Sequence, residues 1–310
     1  MMSAKEVQQM RIILIFIDGL GLAPAGDTNP LATTALPCLQ RLLAGQSLTA
    51  EAVGTKNDTA TLLALDATLG VPGEPQSATG QTALFTGVNA AQAVGYHVRG
   101  FPTPPLRAIL QAEGILKKIT ALGKTATFLN TYTPAYFAQP PEERTDAATT
   151  LLSLAAGLPL HTIDDLLAGT TLSADITSTL WREQGLPVPY VPPLEAGRRA
   201  AANTRHYDFV FFEYFLTDHY AHKRDQEKLR QSLMEIDTFL AGIIANIDLQ
   251  HTLLIVTSDH GNLEDNSSSL HTYNPVPLLL VGAGREQLPP LTDLTALTPF
   301  ILRQLQSKPK

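Results

Sequence analysis

Nearly unbroken apolar runs occupy residues 11–17, 209–216, 252–258 and 276–281, each bounded by Gly, Asp or Pro. Runs of this length, rich in Ile, Val, Leu and Phe and without polar alternation, predict strands buried on both faces. Elsewhere the period lengthens. Leu229, Leu233, Ile236, Leu240, Ile243 and Ile247 recur at the spacing of one helix face and predict a helix over 221–247. Shorter helices are predicted over 36–44 and 293–306. Together these elements make an α/β protein, a doubly wound and mostly parallel sheet with helices on both faces. The middle of the chain reads differently. Residues 89–205 carry clustered prolines (Pro102, Pro104, Pro105, then Pro187, Pro189, Pro192, Pro193) and short helical pieces. The pattern predicts a discontinuous core, 1–88 and 206–310, with a smaller inserted α/β cap domain over 89–205. The polar residues 1–9 read as an extension ahead of Met10.

Three carboxylates follow the strand-like runs. Asp18 ends the first, Asp218 follows the second with His222 four residues later, and Asp259 follows the third with His260 beside it. Ligand sites of open α/β sheets lie outside the carboxyl ends of the strands, so these groups are expected to converge. A helical turn would put Asp218 and His222 on one face. His271 stands a short, helix-free loop before the run at 276. An antiparallel strand there would return it to the same edge. Mixed carboxylate and imidazole donors suit Mn²⁺ or Zn²⁺ better than Ca²⁺. Six of the eight histidines fall between 206 and 271. His219 and His251 fit this geometry less well and are assigned structural roles, while His97 and His206 are left open.

Composition narrows the class. The net charge of −7 argues against general nucleic-acid binding. Residues 89–205 hold ten Lys and Arg against nine Asp and Glu, and the remainder twelve against twenty. An acidic metal-binding core with a near-neutral, anion-binding insertion would have that balance, as would a second lobe with an ordinary solvated surface. No run has the length of a membrane span and no signal peptide is evident. One cysteine, Cys38, excludes an intrachain disulfide, so a cytoplasmic, reducing location is expected.

Pro75-Gln76-Ser77-Ala78-Thr79-Gly80-Gln81-Thr82 gathers small hydroxyl residues before an apolar stretch. It reads equally as an N-cap cluster or as a hydroxyl nucleophile at a helix N-terminus, where the dipole and free N–H groups favour phosphate. Gly19-Leu20-Gly21 lacks the third glycine of a dinucleotide loop, since position 24 is Pro24.

These segments resemble the alkaline phosphatase superfamily, and within it cofactor-independent phosphoglycerate mutase and phosphopentomutase. The likeness rests on Ile17-Asp18-Gly19-Leu20-Gly21, Ser77-Ala78-Thr79-Gly80-Gln81, Asp218 with His222, Ser258-Asp259-His260-Gly261-Asn262 and His271-Thr272-Tyr273-Asn274-Pro275-Val276-Pro277. The resemblance implies an alkaline phosphatase-like core with two divalent metal ions, Mn²⁺ or Zn²⁺. Asp18, Ser77, Asp259 and His260 would hold one, and Asp218, His222 and His271 the other. It implies Ser77 as nucleophile, with Thr79 as runner-up. The expected activity is phosphomutase-like transfer on a small phosphorylated metabolite through a phosphoserine. A metal-dependent phosphatase or phosphodiesterase is the alternative, and a non-catalytic metal-binding protein the reading from another class. Gln81 replaces the His usual in the mutases, and their paired Asp-Arg substrate motifs are absent from the insertion. Arg99, Lys124 and Arg144 are the candidate phosphate grips. No membrane or nucleic-acid partner is expected.

Overall fold

The computed structural model describes residues 9–286 and 288–306. All but the last residue of the expected N-terminal extension lies outside them. Six strands form one sheet in the order β2-β6-β5-β1-β4-β3: β1 (Arg11–Ile17), β2 (Ala60–Leu65), β3 (Ala126–Phe128), β4 (Phe209–Tyr214), β5 (Thr252–Thr257) and β6 (Val276–Gly282). β1 pairs in parallel with β4 and β5, and β3 in parallel with β4. β6 runs antiparallel to both β5 and β2. No helix interrupts residues 258–275, so β5 has no crossover to carry the chain back and β6 returns in the opposite sense.

Alternate residues of the central strands enter two cores. Ile13, Ile15 and Ile17 pack with Leu229, Leu233, Ile236 and Leu240 of the long helix Gln226–Ile244. Ile12, Leu14 and Phe16 pack with Leu84 and Phe85 of the helix Ser77–Thr86. Helices cover both faces, which explains why β1, β4, β5 and β6 lack polar alternation. A chain of rings seats the helix Ser77–Thr86 on the sheet: Phe85 lies 5.2 Å from Phe16 and 5.1 Å from Phe211, which in turn lies 5.1 Å from Phe128.

Two expectations need correcting. Residues 89–205 do not stand apart as an inserted α/β cap. Their one strand, β3, joins the central sheet beside β4, and Leu106, Leu110, Ile115, Leu116 and Leu152 enter the same core as Leu84 and Phe85. The predicted helix over 221–247 is broken. The helix Leu216–His222 ends, Arg224 takes a left-handed φ of 55°, and Asp225 caps Gln226–Ile244 by accepting from the Lys228 N–H. β2 and β3 were not foreseen, being short and rich in Ala and Thr. Cys38 is buried and free, its thiol pushed up to about 11 by burial and by Asp237.

Candidate metal and catalytic site

β5, β1 and β4 are neighbours, so their carboxyl ends lie side by side and deliver Asp259, Asp18 and Asp218 to one edge. Gly19 makes this approach feasible: its φ is +72°, and a Cβ there would sit 2.9 Å from Asp218 Oδ1. Asp218 and His222 occupy one turn of the helix Leu216–His222. The antiparallel return of β6 brings His271 to the same edge. Two clusters result, Asp218 with His222 and His271, and Asp18 with Asp259 and His260. Within each, the candidate ligand atoms all lie within 4.8 Å of one another.

The donor atoms are arranged as a cation would require. His222 Nδ1 and His271 Nδ1 lie 2.7 Å from the carbonyl oxygens of Ser269 and Pro75, so both nitrogens must donate. The two Nε2 atoms therefore face each other across 2.9 Å; in the metal-free protein Asp218 raises His222, so a proton on its Nε2 occupies the place between them that a cation would take. Asp218 Oδ2 is 3.3 Å from the first and Asp218 Oδ1 3.6 Å from the second. With that proton displaced, two imidazole nitrogens and two carboxylate oxygens would face a bound cation. In the other cluster, Asp18 Oδ1 and Asp259 Oδ2 are buried without a hydrogen-bond partner among the described residues. His260 Nε2 lies 3.2 Å from Asp18 Oδ1 and 3.7 Å from Asp259 Oδ2, without the alignment of a hydrogen bond. Unpartnered buried carboxylate oxygens are costly and argue for a missing counter-charge.

Charge strain in the metal-free protein agrees. Burial, then the charge of Asp259, holds the Asp18 carboxyl well above its ordinary range. Burial also raises Asp259. Burial alone would lower His260, but Asp259, Asp18 and Asp218 outweigh it and push the imidazole up to about 10. His271, buried and facing His260, is lowered to about 4. Asp218 is held low: burial opposes this, but His222, His260 and the Asn262 amide prevail.

Ser77 is the first residue of the helix Ser77–Thr86, whose N-cap is Gln76. Ser77 Oγ lies 2.9 Å from His260 Nε2. Thr79 is fully buried, donates to the Gln76 carbonyl and accepts from the Val98 N–H. Of the two hydroxyls, only Ser77 lines the cavity above the clusters. The expected pair of free N–H groups at this helix start is not available, because Ala78 N and Thr79 N donate to the Val98 carbonyl. Gly80 lets the first turn rest on the next strand's end; a Cβ there would meet the Asp259 carbonyl at 2.8 Å.

Glu264, which sequence reasoning missed, ties the loops together. Its buried carboxylate accepts from Gly21 N (3.1 Å), Asn262 N (2.8 Å), Thr272 Oγ1 and Asn274 Nδ2 (3.1 Å). Those donors belong to the segments carrying Asp18, Asp259 and His271. Glu264→Ala would leave them unsatisfied and is expected to cost about 3 kcal/mol or more, read by denaturant unfolding, with weaker metal binding.

Glu213 of β4 is a second unforeseen group. It lines the cavity and accepts a 2.5 Å bond from Thr149 Oγ1. Burial, only partly offset by Thr149, raises it to about 7. The folded protein thus holds this proton more tightly than the unfolded chain. In the metal-free protein its contribution to stability is full below about pH 4.5 and is lost as pH rises through about 7. The loss is on the order of 3 kcal/mol. Glu213→Gln should flatten that part of the stability–pH curve; an unchanged slope would contradict the assignment.

Other candidates lie elsewhere. Arg99 lines a separate pocket with Glu74 and His97, Lys124 lines one with His161, and Arg144 donates to the Gln139 and Phe137 carbonyls. None of the three lines the main cavity, although Gly100 and Phe101, next to Arg99, do. Among the described residues Lys223 is the one Lys or Arg that does, and His219, expected to be structural, lines it too. His251 pairs with Asp248 at 2.8 Å. Among the described residues no helix is long and apolar enough to cross a membrane.

Comparison with known proteins agrees with this geometry. Residues 195–309 match the family model of the Metalloenzyme superfamily. A 2,3-bisphosphoglycerate-independent phosphoglycerate mutase of Dinoroseobacter shibae is 31% identical over 120 residues, covering 36% of this chain and 22% of that protein. Its counterpart in Pyrococcus abyssi is 39% identical over 79 residues, 25% of this chain and 18% of that protein. The matches thus span less than a quarter of those mutases. Among solved structures, the PH0037 protein of Pyrococcus horikoshii aligns over 96% of this chain and 97% of its own, at 16% identity and a TM-score of 0.60. The alkaline phosphatase of the Antarctic bacterium TAB5 aligns over 97% and 99%, at 14% identity and a TM-score of 0.55. Over residues 195–309 the chain thus matches the Metalloenzyme superfamily, its fold is alkaline phosphatase-like, and part of the chain resembles cofactor-independent phosphoglycerate mutase distantly.

Proposed function

We propose that the protein is a metal-dependent phosphoryl-transfer enzyme acting through phosphorylated Ser77, with water as the final acceptor. The observation that carries the reading is a hydroxyl at a helix start, 2.9 Å from His260 and lining a cavity that Asp18 of one cluster and Asp218 and His222 of the other also line. Asp18, Asp259 and His260, with Ser77 beside them, would hold one divalent ion, and Asp218, His222 and His271 a second. Mn²⁺ and Zn²⁺ suit these donors. Such ions would neutralise charge on the phosphoryl oxygens and lower the pKa of the serine hydroxyl. The Ser77 hydroxyl gives its proton to solvent, Ser77 Oγ attacks phosphorus in line, a Ser77 O–P bond forms as the ester P–O bond breaks, and the departing alkoxide takes up a proton from solvent. Water then attacks the phosphoserine, releasing phosphate and restoring the hydroxyl. Asn262 holds Asp218 in orientation through a 2.7 Å bond. We assign the substrate-facing wall to residues of the segment 89–205, which supplies Phe101, Tyr132 and Trp181 to the cavity.

The matched mutases favour a second reading, transfer back to a small metabolite. A mutase acting on a doubly anionic substrate needs a second cationic grip, and the single Lys223 favours the hydrolase. The test is to load the protein with Mn²⁺ or Zn²⁺ and supply p-nitrophenyl phosphate, a phosphodiester and a sugar-phosphate panel. Expected are released phosphate and a phosphorylated Ser77 peptide by mass spectrometry. No turnover and no phosphopeptide would favour a non-catalytic metal-binding protein.

A further inference from the structure

The cavity above the clusters has a volume of about 740 Å³, enough for a drug-sized molecule beyond the phosphate. Away from the metal-facing floor its walls are largely apolar and aromatic: Phe101, Tyr132, Leu180, Trp181 and Phe215. Apart from Asp18 and Asp218 on that floor, its carboxyl groups, Asp175 and Glu213, are already engaged. Asp175 accepts from Ser178 N (3.0 Å) and Leu180 N (2.8 Å), and Glu213 accepts from Thr149. Among the described residues Lys223 is the only Lys or Arg on the lining. A substrate with a second anionic group would meet carboxylates and rings where it needs guanidinium or ammonium groups.

One wall is held in place against backbone preference. Ile176 and Ser178 have left-handed φ values of 64° and 63°, and a β-branched residue resists that region. Burial of both side chains and the two bonds to Asp175 maintain the turn. The helix Thr179–Glu183 starts from it and places Leu180 and Trp181 against the cavity.

We infer that the substrate is a phosphate ester of a bulky, flat, uncharged alcohol, its ring system held against Trp181 and Leu180 opposite Phe101 and Tyr132. This rests on the phosphoryl-transfer reading and specifies the leaving group. Small di-anionic metabolites such as phosphoglycerates are then poor substrates.

The experiment compares 2-(2-naphthyl)ethyl phosphate, ethyl phosphate and 3-phosphoglycerate on the Mn²⁺-loaded full chain. The first two have leaving alcohols of similar basicity. Burying the ring system is expected to raise kcat/KM roughly 10- to 100-fold over ethyl phosphate. Trp181→Ala should collapse that preference, and Trp181→Phe should keep most of it. Trp181 is the only tryptophan of the chain, so its emission reports binding directly. The non-hydrolysable 4-nitrobenzylphosphonate should quench it saturably, and 3-phosphonopropionate in excess should not compete. Equal or better turnover of ethyl phosphate or 3-phosphoglycerate, or an equal loss on all esters in Trp181→Ala, overturns the leaving-group assignment while phosphoryl transfer stands. No turnover of any ester and no phosphate on Ser77 overturns phosphoryl transfer itself, and the quenching still decides what the cavity prefers.

Discussion

Ser77→Ala is expected to lower metal-dependent phosphate-ester turnover by about 10³-fold or more and to abolish the phosphopeptide. The same substitution should cost about 1–2 kcal/mol, because Ala suits a first helical position but the bond to buried His260 is lost. Thr79→Val is the informative companion. Thr79 is fully buried and bonded to Gln76 O and Val98 N, so its loss is expected to cost about 1–3 kcal/mol, with phosphorylation of Ser77 preserved. Steady-state rates, intact-mass detection of the phosphoenzyme and denaturant unfolding check all three statements. Turnover surviving unchanged in Ser77→Ala would sink the nucleophile.

Asp259→Asn separates function from stability in the opposite sense. Asp259 is fully buried, its Oδ2 has no partner among the described residues, and burial holds its carboxyl above the usual range. At neutral pH the metal-free protein therefore bears the strain of carboxylates crowded with Asp18 and Asp218. Replacing one by a neutral isostere is expected to raise metal-free stability by roughly 1–3 kcal/mol. The order reverses with Mn²⁺ present. Binding to the native state stabilises the parent protein by about 2.7 kcal/mol at a metal concentration one hundred times Kd. The variant forgoes one ion's share of this, and its activity falls by about 10²-fold or more. Thermal unfolding with and without Mn²⁺, beside metal stoichiometry, reads both halves. A variant that loses stability equally in both conditions would show that Asp259 is merely structural.

Much of the site could be read from residue order. Asp18, Asp218 and Asp259 stand directly after three apolar runs, and a parallel sheet places such positions at one edge. The spacing of Asp218 and His222 needs only one helical turn, and His271 needs only an antiparallel return of β6. Glu264 escaped notice because nothing in a lone Glu five residues beyond Asp259 signals four converging donors. Arg99, Lys124 and Arg144 do not line the cavity, and the near-neutral balance of residues 89–205 could not say where their side chains point. Trp181 and Lys223 reach the cavity through turns whose left-handed residues, Ile176, Ser178 and Arg224, carry no sequence signature.

By itself the sequence determined the strand-buried core, the chemistry of the donors and their arrival at one sheet edge, because hydrophobic period and residue type are local properties. Only the tertiary structure decided that residues 89–205 complete the central sheet, that Ser77 rather than Thr79 meets His260, and that the cavity is aromatic with one lysine. Those outcomes depend on packing between segments far apart in the chain, where the orientation of a side chain is set by its neighbours.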